Sequence, residues 1–132
     1  MTFSPTKTSK GFLSTAILSA LLLGACSPSS PESVVRNFYQ SVAKGDVETA
    51  KGFLSDQVLQ LLGSTKLSTA LRQSTKEIDT CGGLKSVKVD LDGKGEYREG
   101  TSTLEFKGDC SAQTDEVYLV KEDDSWKLAP TK

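Results

Sequence analysis

Three thiols and no imidazole bound the chemistry open to this chain. Cysteines stand at 26, 81 and 110, and histidine is absent from all 132 residues. The missing histidine removes the commonest general base, the commonest nitrogen ligand for metals and every His-dependent triad. Two cysteines without histidine make a poor zinc site. Ser41-Val42-Ala43-Lys44 has the spacing of a serine nucleophile with a lysine base, but it ends a helical pattern and neither S-D-N nor K-T-G follows. An exposed polar helix end accounts for it. Asp90, Asp92, Gly93, Glu96 and Glu99 overlay a calcium-loop spacing, yet Lys88 stands where the first carboxylate belongs. Strand patterns also flank that stretch where helices are required, so it reads as a hairpin turn with an acidic rim. No metal and no cofactor is expected beyond covalent lipid.

Cys26 is set apart by what precedes it. Within residues 1–25 only Lys7 and Lys10 are charged, and both come before the 12-residue run from Phe12 to Leu23, which Ser14, Thr15 and Ser19 dilute. That is the order of a secretory signal, and it falls short of the roughly 20 residues a spanning helix requires. Gly24 and Ala25 are the small side chains a peptidase cleft takes before a scissile bond. Leu23-Gly24-Ala25-Cys26 resembles the lipobox of bacterial lipoproteins. The resemblance implies a diacylglycerol on the Cys26 thiol, cleavage of residues 1–25, and a further acyl chain such as palmitate. Buried methylenes contribute about 0.8 kcal/mol each, so two or three chains hold a protein on a bilayer durably. Residues 26–31 then form a tether, because Ser27-Pro28-Ser29-Ser30-Pro31 is too polar and proline-broken to pack. Ser27 after the lipidated position is similar to outer-membrane lipoproteins, so the expected address is the outer membrane, with the domain facing the periplasm.

Taking residues 1–25 from 132 leaves 107, enough for one domain with a modest core over residues 32–132. Without Lys7 and Lys10 the balance is 14 basic against 17 acidic side chains, a net charge of −3. The longest like-charge run is Glu122-Asp123-Asp124, so no footprint for nucleic acid is present. With Cys26 given to lipid, Cys81 and Cys110 remain as an even pair in an oxidising compartment, and a disulfide is the expected state. Two buried thiols or a metal pair are the alternatives.

These residues must be positioned by helices first and strands after. A capping box runs from Ser29 to Glu32, with Pro31 in the tolerated first turn. Val34, Val35, Phe38, Tyr39, Val42 and Ala43 then recur on one helical face until Gly45. Asp46 caps a second helix carrying Val47, Ala50, Phe53 and Leu54. Residues 56–62 form a third, with Val58, Leu59, Leu61 and Leu62. A fourth spans 66–80, lining up Leu67, Leu71, Ser74 and Ile78, with Cys81 continuing that line. After Gly82-Gly83 the period becomes two. Val87, Val89 and Leu91 mark one strand, residues 97–107 a second, 116–121 a third, and Trp126-Lys127-Leu128 opens a fourth. Val87, Val89, Leu104, Phe106, Val117 and Leu119 are expected to face the helices. The result is an α+β domain, its N-terminal helices packed on a curved antiparallel sheet of about four strands. A Cys81–Cys110 bond then requires the last helix end to lie against the tip of the second hairpin.

Pro31-Glu32-Ser33-Val34-Val35-Arg36-Asn37-Phe38-Tyr39 and Ala43-Lys44-Gly45-Asp46-Val47-Glu48-Thr49-Ala50 resemble the opening of small bacterial lipoproteins of the nuclear-transport-factor-two-like superfamily. The ending from Val120 to Leu128, where Trp126 follows an acidic turn, is similar to that family's last hairpin. The resemblance implies a cone-shaped fold with a sheet curled around a long helix. It also offers Tyr39, Tyr97, Tyr118 and Trp126 as lining for a cone mouth, although in a domain of this size such aromatics are more often simply core. Steroid-isomerising relatives pair a buried Asp base with a Tyr donor. The acids here (Asp90, Asp92, Glu96, Glu99, Glu105 and Asp115) mostly fall in turns or on the polar side of strands. Two functions follow. The first is a non-enzymatic domain anchored to the membrane by lipid, binding a protein partner or small ligand in the envelope. The second is a small pocket enzyme using a carboxylate and a tyrosine. An enclosed cavity on the concave sheet face with an acid directed into it separates the two: its presence favours the second, and a cavity filled by Phe, Leu and Val favours the first.

Overall fold

Proline at 31 decides where the first helix starts. The residue before a proline is disfavoured in the helical region, and Ser30 is extended at φ −71, ψ 157. Its side chain accepts from the Ser33 N–H at 3.2 Å, so Ser30 caps α1 (Pro31–Ala43). The cap expected at Ser29 thus lies one residue later, and Ser33 takes the place foreseen for Glu32. The computed structural model describes residues 29–131; the expected signal segment 1–25, Cys26 and the first part of the expected tether lie outside them. Helices α2 (Val47–Lys51), α3 (Asp56–Leu62) and α4 (Ser64–Thr80) follow. The Asp46 side chain accepts from the Thr49 N–H, and the Ser55 hydroxyl accepts from the Val58 N–H. Helix α4 begins at Ser64, earlier than its periodicity suggests, because Gly63 at φ +76 both closes α3 and opens α4.

Four strands complete the domain: β1 (Leu84–Asp92), β2 (Tyr97–Phe106), β3 (Gln113–Glu122) and β4 (Ser125–Ala129), antiparallel in the order β1-β2-β3-β4. Strand β3 starts at Gln113, ahead of the expected 116. Its polar opening still pairs: Gln113 faces Leu104, Thr114 faces Thr103 and Asp115 faces Ser102. Between β3 and β4 only Asp123 and Asp124 intervene, with φ of 49° and 64°. Two left-handed residues make the hairpin turn whose twist suits a sheet, and Asp tolerates that conformation. A further bridge is invisible in the periodicity. Ser55 N–H donates to Leu128 O, and Leu128 N–H to Phe53 O, both at 2.8 Å, so the α2–α3 connection runs parallel beside β4 at Leu54.

Register sets the two sheet faces. Val87 opposes Leu104, Val89 opposes Ser102, Leu91 opposes Gly100, and Gly100 opposes Val117. Leu119 opposes Leu128. Opposed residues share a face, so the six residues expected to meet the helices do lie on one side. Against that side pack Val34, Val35 and Val42 of α1, Val47 and Ala50 of α2, and Leu67, Leu71 and Ile78 of α4. Helix α1 rests on β1 and β4 and holds α4 along its flank. The Thr75 hydroxyl fastens this pair, donating to Val42 O at 2.6 Å. Helix α3 buries no residue: Val58 and Leu59 touch the core, while Leu61 and Leu62 face solvent.

Candidate functional site

The site grows from the way α4 is held. Along its length it packs on α1, and at its C-terminal end it is tied to the β2–β3 loop. Cys81 and Cys110 are bonded there, with Cα atoms 5.4 Å apart. Beside the bond, Gly108 N–H donates to Cys81 O and Lys107 N–H to Gly83 O, each at 2.9 Å. Gly82 and Gly108 permit this approach. A Cβ on Gly82 would stand 2.7 Å from Gly108 N, and one on Gly108 2.7 Å from Cys81 O. Supported from the side and the end, α4 does not close down on the strands beneath, and the space left is a cavity of about 340 Å³.

Phe38, Tyr39 and Val42 of α1 and Leu71, Ser74 and Ile78 of α4 form one side of this cavity. Leu104 and Phe106 of β2 with Gln113 and Asp115 of β3 form the other. Glu77, Cys110, Ser111 and Gln113 are exposed and mark its mouth. A volume near the lower end of the usual range of about 300–1,000 Å³, with apolar walls and few polar groups, suits a small ligand.

The polar groups are linked. Ser102 is fully buried and its hydroxyl donates to the Tyr39 oxygen at 3.2 Å. Tyr39 OH in turn points at Asp115 Oδ2, 3.4 Å away, which is long for such a bond. Gln113 Nε2 donates to Asp115 Oδ1 at 3.1 Å and to Oδ2 at 3.0 Å. Burial pushes the Tyr39 phenol above its ordinary value; the Ser102 hydrogen bond opposes this and the Asp115 charge adds to it. Tyr39 is therefore a neutral phenol at physiological pH. Phe38 meets its ring edge-on at 5.2 Å.

The four aromatics expected at one mouth do not share a cavity. Tyr39 lines it. Tyr97 and Tyr118 point to the other face of the sheet, their ring centroids 6.4 Å apart, and Tyr97 OH donates to Glu99. Period two dictates this, since Tyr118 lies between the core residues Val117 and Leu119. Trp126 is on the helix side but borders a separate groove with Val34 and Phe53, with the Arg98 guanidinium 4.9 Å and the Lys121 ammonium 5.7 Å from its ring. Asp115 is the correction in the opposite direction. It lies on the helix-facing side of β3, half-buried, and not with the solvated acids. Its parity with Val117 and Leu119 was the available signal, masked by the polar start of the strand. Gln113 was missed for the same reason. Cys26 lies outside the described residues. Among those described, no group of acids and cysteines is arranged to hold a metal.

Helices laid on one face of a four-stranded antiparallel meander, with a cavity between them, define an α+β domain of the nuclear-transport-factor-two-like fold. A solved structure from Campylobacter jejuni, described as a "Putative NTF2-like transpeptidase", matches with a TM-score of 0.67 and 18% identity, covering 78% of this chain and 100% of that one. At such identity the likeness is one of fold. The chain itself belongs to the family described as "Domain of unknown function (DUF4878)", which matches residues 24–129. A search of the curated proteins finds no match.

Proposed function

We propose that this chain is a lipoprotein, anchored in the outer membrane through lipid on Cys26, whose periplasm-facing domain binds a small ligand without transforming it. The cavity carries the binding half of this reading. It is preformed, mostly apolar, and furnished with a few convergent polar groups, which is the usual make-up of a small-molecule site. The Leu23-Gly24-Ala25-Cys26 motif supports the anchor.

A pocket enzyme using Asp115 and Tyr39 is the second reading, favoured by their meeting inside the cavity. Their mutual arrangement weighs against it. Tyr39 directs its proton at Asp115, and Asp115 accepts from Gln113 on both oxygens. A pocket enzyme of this kind needs the Tyr39 proton turned to the substrate and not to its own base. Nor does the Campylobacter jejuni protein's description carry over. Acyl transfer to a side chain needs an activated nucleophile, whereas Cys81 and Cys110 are bonded to each other, the Ser102 hydroxyl is turned to Tyr39, and neither lysine nor histidine stands among the described lining residues to activate Ser74 or Ser111.

Two measurements test the proposal. Labelled palmitate is expected in the wild type and not in Cys26→Ser, with the wild type in the outer-membrane fraction; equal labelling of both overturns the anchor. For the cavity, Ser74→Trp from α4 fills the space, and loss of all small-molecule binding with the melting temperature preserved is the expected result. Turnover of any bound molecule that depends on Asp115 would replace the first reading by the second.

A further inference from the structure

The cavity carries charge of one sign only. Asp115 sits inside it and Glu77 at its mouth, and among the described lining residues there is neither lysine nor arginine. Nor does any described cation form an ion pair with either carboxylate; the salt bridges among the described residues are Lys51–Glu48 and Lys88–Glu105, both elsewhere. The Asp115 carboxylate is held in place by Gln113 and Tyr39, which are neutral donors. One long bond from Tyr39 and a shared pair from one amide leave acceptor capacity on its two oxygens. A half-buried carboxylate with neutral neighbours attracts a cation more strongly than one in water, since the surrounding dielectric is lower. The walls beside it (Val42, Leu71, Ile78, Leu104 and Phe106) ask for an apolar body.

We infer that the ligand class of this cavity is a small amphipathic amine, its protonated nitrogen on Asp115 and its apolar part between α1, α4 and β2. This rests on the cavity being a binding site, as proposed above. A carboxylate or phosphate ligand is excluded by the same charges, because like charge at short range in a partly desolvated site is costly. Glu77, exposed on α4 and held by Gln73 Nε2 at 3.4 Å, acts at the entrance and favours the approach of the cation.

Three probes with one apolar body separate head-group chemistry from simple cavity filling: 4-phenylbutylamine, 4-phenylbutan-1-ol and 4-phenylbutanoate. They are titrated at pH 7 into the purified full-length protein in an uncharged detergent, with protein-free detergent as blank. Methyl resonances of Ile78 and Leu104 report occupancy. The amine is expected to bind about tenfold more tightly than the alcohol, since both can donate to Asp115 but only the amine brings a full positive charge. The acid is expected not to shift the methyls. Asp115→Asn, close to isosteric, abolishes the preference for the amine over the alcohol. Glu77→Gln, at an exposed position that does not threaten the fold, lowers amine affinity by about two- to threefold. Binding of the acid as tightly as the amine, or an amine preference that survives both substitutions, overturns the assignment while leaving a binding cavity. Failure of all three probes to move either methyl overturns the binding reading itself.

Discussion

Reduction of the Cys81–Cys110 bond should destabilise the domain chiefly through its unfolded chain. The bond spans a sequence separation of 29. In the chain-entropy account, a loop of that length removes about 3.6 kcal/mol of disorder from the unfolded chain at 25 °C. The native state has little to lose when the bond opens, because Gly108 N–H to Cys81 O and Lys107 N–H to Gly83 O still join α4 to the β2–β3 loop. The cost therefore falls on the unfolded side. For a domain of about 100 residues it lowers the melting temperature by about 15–20 °C. Against a total stability of about 5–15 kcal/mol, that is a large share. The assay is a thermal melt of the purified protein with and without a phosphine reductant, and of the Cys81→Ser, Cys110→Ser double variant. Alkylation and mass spectrometry establish that both thiols are free in the reduced sample. Urea titrations should also show a steeper slope after reduction, since the unfolded chain loses its cross-link and exposes more surface. Melts within about 4 °C of each other, with both thiols alkylated, would mean a contribution under about 1 kcal/mol. The entropic reasoning would then be wrong for this loop.

Three further outcomes are expected. Gly100→Ala drives a Cβ into the Asp90 carbonyl and within 2.9 Å of Leu91 Cα, so urea titration should show a loss of about 1–3 kcal/mol or more; an unchanged midpoint contradicts the β1–β2 register. Leu119→Ala, at a side chain with no solvent exposure, should cost about 2–5 kcal/mol, whereas Phe106→Ala at a half-buried ring should cost about half the 3–5 kcal/mol of a fully buried one. The phenol of Tyr39 is raised in the folded state by burial, so its contribution to stability is fully present below about pH 10 and is lost as the pH climbs through the folded value. The wild-type minus Tyr39→Phe difference in alkaline absorbance should titrate above the ordinary tyrosine value; a difference that titrates at or below that value refutes the burial of Tyr39.

The helical face of α1, the cap at Asp46, the stop at Gly45 and the alternation in β1 were legible because each is a local rule. Spacing at 3.6 or 2 residues and the chemistry of caps and turns need no knowledge of what lies across the fold. The same is true of the two sheet faces, since six residues of like parity reach one side. Where a rule turned on one neighbour, the reading slipped by a residue, as at Ser30, whose cap is imposed by Pro31. What tertiary structure alone decided is the site. Asp115 and Gln113 are polar residues at the start of a strand, and they belong to a cavity only because Ser102 and Leu104 lie opposite them in β2. Tyr39 and Asp115 are 76 residues apart in sequence and meet through the packing of α1 on the sheet. Whether a cavity exists at all depends on how far α4 stands off the strands. That is set by its contact with α1 and by the bond at Cys81, forces that act on whole elements and leave no period in the chain. Periodicity assigns a residue to a face; only packing determines whether that face closes on its neighbour or leaves room for a ligand.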